Sequence, residues 1–305
     1  MDLIFKSASK IHKFKKQIKP NIKMKTAYDI FNLKEKLFGK VLRIIDGVAY
    51  QYADKIWIYK KLETFIPDGV YAIDGLKVGV IHKENIDYFS EPELDGEVKL
   101  FWIHTELLKK FTKFTSTDEL RPSMNCVAIT ENKIAATDAH KLIWQDFKFD
   151  DNVLIPANVI KLLPKKEYIS FEVYDKFVKI NLDGYYIIYQ KMNEKFPDYK
   201  SVIPQQFTST LKFDVSKIEW CKHEYVSEFM TFTQKGNTLH VESLDINTDR
   251  KYVQDIPNTN EDLEFKVVIK NFKICVEGLK EVEIKMYKHL ILINGNILCD
   301  TLIND

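Results

Sequence analysis

From residue 126 to 204 the chain alternates short β-branched runs with turn residues in an order that few folds accommodate. Residues 126–130 and 133–137 read as strands turned by Glu131-Asn132, and 141–147 continues as a third. They meet at Ala136-Thr137-Asp138-Ala139-His140-Lys141-Leu142. Pro156 sits where a first helical residue belongs, ahead of Val159, Ile160 and Leu163 at helical spacing. A hairpin around Asp183-Gly184, built from 168–182 and 185–192, follows. The stretch closes on Lys195-Phe196-Pro197-Asp198-Tyr199-Lys200 and a connector to Pro204.

The same order recurs. CVAITENKIAATDAHKLIW, FMTFTQKGNTLHVESLDINTD and VLRIIDGVAYQYADKIWIY share strand, polar turn, strand, Asp-containing turn and strand. NVLIPANVIKLLPKKEYISFEVYDKFVKINLDGYYII likewise matches EFKVVIKNFKICVEGLKEVEIKMYKHLILINGNIL in element order and length. The period is about 100 residues, far beyond a solenoid repeat, so each copy should be a domain with its own core. The expected divisions are 1–102 (short and divergent), 103–206 and 207–305. Helix, strands, helix, strands predicts an α+β fold with helices on one face of antiparallel sheet.

The helices share a second property. Residues 7–19 place Ile11, Phe14 and Ile18 on one side, and Pro20 ends the run. A further helix is expected near 83–89. One over 104–114 has Ile103, Leu107, Phe111 and Phe114 as its stripe, one starts at an Asp214 cap, and one over 269–279 carries Phe272, Val276 and Leu279. Their outer faces carry Lys13, Lys16, Lys109, Lys113, Lys161, Lys217, Lys270 and Lys273. Such lysines fit two readings, an ordinary solvated face or a face turned to phosphate.

Composition removes several classes. Cys126, Cys221, Cys275 and Cys299 are widely spaced with no C-x-x-C pair, which argues against a zinc site or disulfide framework and fits a reducing cytoplasm. No run of 18 apolar residues predicts a membrane span, and the segment MDLIFKSASKIHKFKK lacks the apolar core of a secretory signal. Asp138 and His140 invite an acid–base reading, but no carboxylate or histidine cluster and no nucleophile motif accompanies them, so a non-enzyme without metal or cofactor is expected. A formal net charge of +1 argues neither for nor against nucleic acid.

A-T-D-A-H-K-L at 136–142 and K-F-P-D-Y-K-S-V-I-P at 195–204 resemble the A-T-D-G-H-R-L and R-F-P-D-Y-x-x-V-[IL]-P motifs in the middle domain of the bacterial DNA polymerase III beta subunit, the DNA sliding clamp. Ile155-Pro156 between them also matches. The likeness is good over 103–206, thinner over 207–305, and rests on element order over 1–102. It implies three repeated clamp domains that close into a homodimeric ring around double-stranded DNA without reading sequence. These helix lysines would meet phosphate, and the polymerase and clamp loader would bind by short peptide motifs in a cleft. For that cleft the resemblance points to Met124, Thr137, Ala139, His140, Lys141, Leu142 and Pro204, with Leu302 or Ile303 completing it. Ala139 stands for the family's glycine and Lys141 for its arginine, and the end Thr301-Leu302-Ile303-Asn304-Asp305 lacks the family's methionines. These departures describe a remote member such as a phage or mobile element would carry. The competing reading is an α+β scaffold or nucleic-acid-binding protein that does not form a ring.

Overall fold

The computed structural model describes residues 41–53, 55–63, 68–74, 77–81 and 92–302. The helices expected over 7–19 and near 83–89, with Lys13 and Lys16, and also Ile303, lie outside the described residues. The chain divides into two compact units, residues 1–92 with 183–187, and 93–182 with 188–305.

In the first unit, β1 (Val41–Ile45), β2 (Val48–Ala53), β3 (Ile56–Lys61), β4 (Gly69–Asp74) and β5 (Lys77–Ile81) form an antiparallel run in the order β5-β4-β1-β2-β3. Asp46 and Gly47 both have positive φ, 48° and 73°, as a tight hairpin turn with right-handed strand twist requires. Ile44, Ala49, Ile58 and Tyr59 are buried beneath it.

From residue 99 onward the chain runs through one element order twice. The first copy is β6 (Lys99–His104), α1 (Thr105–Thr112), β7 (Cys126–Thr130), β8 (Lys133–Thr137), β9 (Lys141–Asp146), β10 (Val153–Pro156), α2 (Ala157–Leu162), β11 (Tyr168–Val173), β12 (Phe177–Leu182) and β13 (Tyr185–Gln190). The second is β14 (Ser209–Asp214), α3 (Trp220–Val226), β15 (Phe229–Lys235), β16 (Thr238–Asp245), β17 (Arg250–Pro257), β18 (Leu263–Val268), α4 (Ile269–Cys275), β19 (Glu281–Tyr287), β20 (Leu290–Ile293) and β21 (Ile297–Asp300). The expected α+β class with antiparallel sheets is what forms.

The copies share an eight-stranded sheet, β10-β7-β8-β9-β21-β20-β19-β14. Its middle junction pairs β9 with β21, Lys141 opposite Cys299 and Ile143 opposite Ile297. A second, four-stranded sheet runs β17-β16-β15-β18. β6 pairs with β11 and β11 with β12.

Each helix buries one face. Leu108, Phe111 and Phe114 are fully buried at α1, as are Val159 and Ile160 on α2 and Phe272 on α4. Such a side chain contributes about 1.5–3 kcal/mol on burial. Leu107 is only half-buried, because the stripe of α1 is centred on Leu108.

Several boundaries differ from the sequence reading, among them Pro156, which precedes its helix as the N-cap rather than opening it. Residues 168–182 are two strands, since Tyr174 N–H donates to the Phe177 carbonyl across a tight turn. From sequence, 281–287 and 290–298 read as the two strands of a final hairpin turning at Lys288-His289; the second also breaks, at Asn294-Gly295, whose φ values of 46° and 81° make another hairpin turn. Asp214 caps a single 3-10 turn, Val215–Lys217, before the helix begins at Trp220. The helix after Ile269 ends at Cys275 rather than 279. Among the described residues no helix is long and apolar enough to cross a membrane.

Candidate nucleic-acid interface and peptide cleft

The turn between β8 and β9 is closed by its own polar groups. Thr137 Oγ1 donates to the Lys141 carbonyl at 2.9 Å and accepts from Ala139 N–H at 3.1 Å. Asp138 Oδ1 accepts from the N–H groups of His140 and Lys141 at 3.0 and 2.9 Å. Lys141 was expected to face a bound peptide. Its ammonium is instead buried and paired with Asp138, so its charge is neutralised inside the turn. Ala139 holds φ of +79°, left-handed backbone that glycine adopts without strain and alanine does not. A glycine, as in the A-T-D-G-H-R-L motif that this turn resembles, would hold it without that cost, and the turn keeps its shape here at alanine's expense.

Beside the turn, the β9–β21 junction gathers an apolar cluster from both copies. Ala135, Leu142, Tyr199, Leu292 and Leu298 are buried in it, with Trp144, Phe196, Ile203 and Phe207 packed against them and partly open. Phe196 and Tyr199 meet edge to face at 6.1 Å between centroids. Burial raises the Tyr199 pKa, so its phenol stays neutral. At the rim, His140 Nδ1 lies 2.8 Å from Asp300 Oδ2, and Asp300 N–H donates to the His140 carbonyl.

Of the expected cleft residues, Thr137, Ala139, His140 and Leu142 lie on this turn, and Pro204 follows Ile203 of the cluster. Met124 is not in the cluster; it is buried in the 3-10 turn ahead of β7. Leu302 goes elsewhere too, its N–H donating to the Lys266 carbonyl at 2.8 Å beside β18. Leu292, Leu298 and Trp144 were not anticipated. Trp144 lies on β9 itself, and Leu292 and Leu298 join the cluster by a pairing between strands about 150 residues apart, for which local sequence carries no signal.

The lysines divide by what holds them. Lys161, Lys217 and Lys270 are exposed. Lys113 is exposed and paired with Glu277, from α1 to the segment after α4. Lys273 pairs with Glu224 at 2.8 Å, tying α4 to α3. Lys109, expected to face outward, turns back. Its ammonium donates to the Leu163 and Pro164 carbonyls at 2.8 and 2.5 Å, satisfying the C-terminal end of α2. Lys109 therefore docks α1 on α2. Among the described residues no group of three or more histidine, cysteine or carboxylate residues is placed to hold a metal ion. Burial pushes the Cys126 thiol up to about 12, far from a reactive thiolate.

Repeated α+β copies that share antiparallel sheets across their junction make this the fold of the DNA sliding clamps. No family model matches the sequence, and no curated protein matches it either. Solved structures do. A DNA polymerase III beta subunit from Eubacterium rectale superposes with a TM-score of 0.74 at 12% identity, covering 90% of this chain and 95% of its own. The beta subunit from Borrelia burgdorferi, solved in complex with a natural product, gives 0.72 at 16% identity over 87% and 90% of the two chains. That from Thermotoga maritima gives 0.69 at 15% over 90% and 95%.

Proposed function

We propose that this protein is a DNA polymerase processivity factor, a divergent sliding clamp acting in the cytoplasm. The observation that carries the reading is the repeated unit itself. Two copies join through β9 and β21, and the strand matching β9 in the second copy, β17, is an edge among the described residues. A chain built that way extends by adding a further copy at β17. Two chains joined head to tail in this manner close a ring of clamp domains, divided within each chain at 1–102, 103–206 and 207–305.

The work of such a ring is physical and includes no chemical step. Lysines on the helix faces (Lys113, Lys161, Lys217, Lys270 and Lys273), joined by the sequence-expected Lys13 and Lys16, hold phosphate by charge, which leaves the ring free to move because no base edge is read. Lys109 contributes by fixing α1. The apolar cleft at the junction takes a short peptide from the polymerase or the clamp loader, its apolar side chains entering beside Leu142 and Leu298 and its polar groups meeting the His140 rim.

The experiment is retention on DNA with and without ends. Protein assembled on nicked circular duplex should stay bound in high salt and be lost when the circle is linearised. Equal loss from both would overturn the reading, because simple electrostatic binding does not distinguish a circle from a line.

A further inference from the structure

The first strands of the two copies in the second unit are equivalent residue by residue. His104 ends β6 and its ring accepts the Glu106 N–H at the start of α1, while Asp214 ends β14 and accepts the Ser216 N–H. Thr105 N–H donates to the Glu167 carbonyl, and Val215 N–H donates to the Lys280 carbonyl, both at 2.9 Å. Trp102 lies opposite Ser170 and Lys212 opposite Glu283, each two residues in from the matched ends. Trp102 is thus the counterpart of Lys212, and Leu100 that of Thr210.

Their treatment by the fold differs. Antiparallel alternation turns the N–H and C=O of both residues away from the paired strand, toward the sheet edge. On β14 that edge is blocked. Asn260 from the loop after β17 accepts the Lys212 N–H at 3.1 Å and donates to the Lys212 carbonyl at 2.9 Å. One carboxamide there does what a residue of an added strand would do. The outward side chain, Lys212, is charged and paired with Glu283 at 3.0 Å, the usual protection of an edge.

On β6 nothing among the described residues fills Asn260's place. The outward side chains are Val98, Leu100 (55% exposed) and Trp102 (60% exposed), with Tyr168 of β11 (72% exposed) beside them. The fold does not demand this, since β14 stands at the same place with polar residues. Glu93, Asp95 and Glu97 lead into the strand, all exposed, and Asp175 faces Gly96 close by. Lys176 is a nearby cation, and Lys99 is paired with Asp151. Glu172, opposite Leu100, is already satisfied by Tyr174, Asn181 and Lys179. The entry to the edge is therefore acidic.

We propose that β6 is a docking edge for an extended segment of a partner protein that adds as a strand, sets apolar side chains on Leu100, Trp102 and Tyr168, and carries basic residues toward Glu93, Asp95 and Glu97. The backbone of the segment bonds to Trp102 as Asn260 does to Lys212, the alternating apolar positions supply contact area, and charge fixes its direction. This surface does not depend on the clamp reading.

The test is selection of a random-peptide library on the full chain, followed by affinity measurements on variants. Leu100→Thr with Trp102→Lys installs the residues that β14 already carries, so folding is preserved and checked by thermal melting. Peptides alternating apolar and basic residues should be enriched, and those bound at β6 should lose about tenfold or more in affinity on this variant. Glu97→Lys alone should weaken the same peptides. The proposal is overturned if no enriched peptide is affected by the double substitution, or if the affected ones are acidic. It is equally overturned if the wild type self-associates through an interface that the double substitution removes, which would make a second copy the occupant.

Discussion

β9 and β17 are the same strand in two copies, and they live in different surroundings. β9 is buried at Lys141, Leu142 and Ile143, where β21 pairs with it and the apolar cluster closes over Leu142. β17 exposes Arg250, Lys251 and Val253, and its only partner among the described residues is β16. The difference teaches that the junction is a reusable surface. One use is satisfied within the chain, and in the ring proposed above the other is left for a second chain.

The sharpest way to break this comparison is to put a carboxylate on the open strand. Val253→Asp should abolish self-association, because a charge desolvated at a paired edge costs several kcal/mol, more than about a hundredfold in dissociation constant. Sedimentation checks it, and a variant that associates as the wild type does would show that β17 is not the joint. The closed strand is tested by Leu142→Ala, which leaves a void between the copies. It should cost about 2–4 kcal/mol in chemical denaturation and weaken peptide binding in the cleft. A loss under about 1 kcal/mol would place Leu142 outside a packed junction.

Ala139→Gly sharpens the comparison from the other side. Relief of left-handed strain outweighs the entropy glycine adds to the unfolded chain, so the variant should be more stable by about 1 kcal/mol with its association unchanged. A destabilised variant would mean that the alanine methyl makes contacts worth more than the strain.

The smallest effect belongs to pH. His223 of α3 is fully buried against the β16–β17 hairpin, its Nδ1 2.9 Å from Ser243 Oγ and its ring edge to face with Tyr252. Nε2 has no hydrogen-bond partner among the described residues. Burial lowers its pKa, against smaller opposing pulls from Gln254 and Glu219. The folded state therefore binds fewer protons than the unfolded one as pH falls below the ordinary imidazole range. Stability should decline through that window until the depressed folded value is passed, and recover as pH rises. A denaturation series from pH 5 to 8 checks the sign, and replacing His223 with Gln should flatten it.

The fold class and the helix faces were legible because periodicity is local. Phe111, Phe114, Val159, Ile160 and Phe272 were placed inside from spacing alone, and all are buried. The turn at 137–142 was legible as a motif. Its internal wiring was not, because a lysine on a turn looks solvated until the Asp138 carboxylate is set beside it and the pair turns inward. The other side of the apolar cluster, Leu292 and Leu298, was invisible for a different reason. Its position follows from the β9–β21 pairing, and that pairing was hidden by reading 290–298 as one strand across Asn294-Gly295. Lys109 shows the same limit, since its target carbonyls lie more than fifty residues away.

Small-angle scattering of the purified chain in solution tests the central claim most directly, since one curve gives both mass and the distribution of internal distances. A ring closed through β17 predicts twice the mass of one chain and a distance distribution depleted at its centre. A particle of single-chain mass, or a compact dimer with no central depletion, would contradict it.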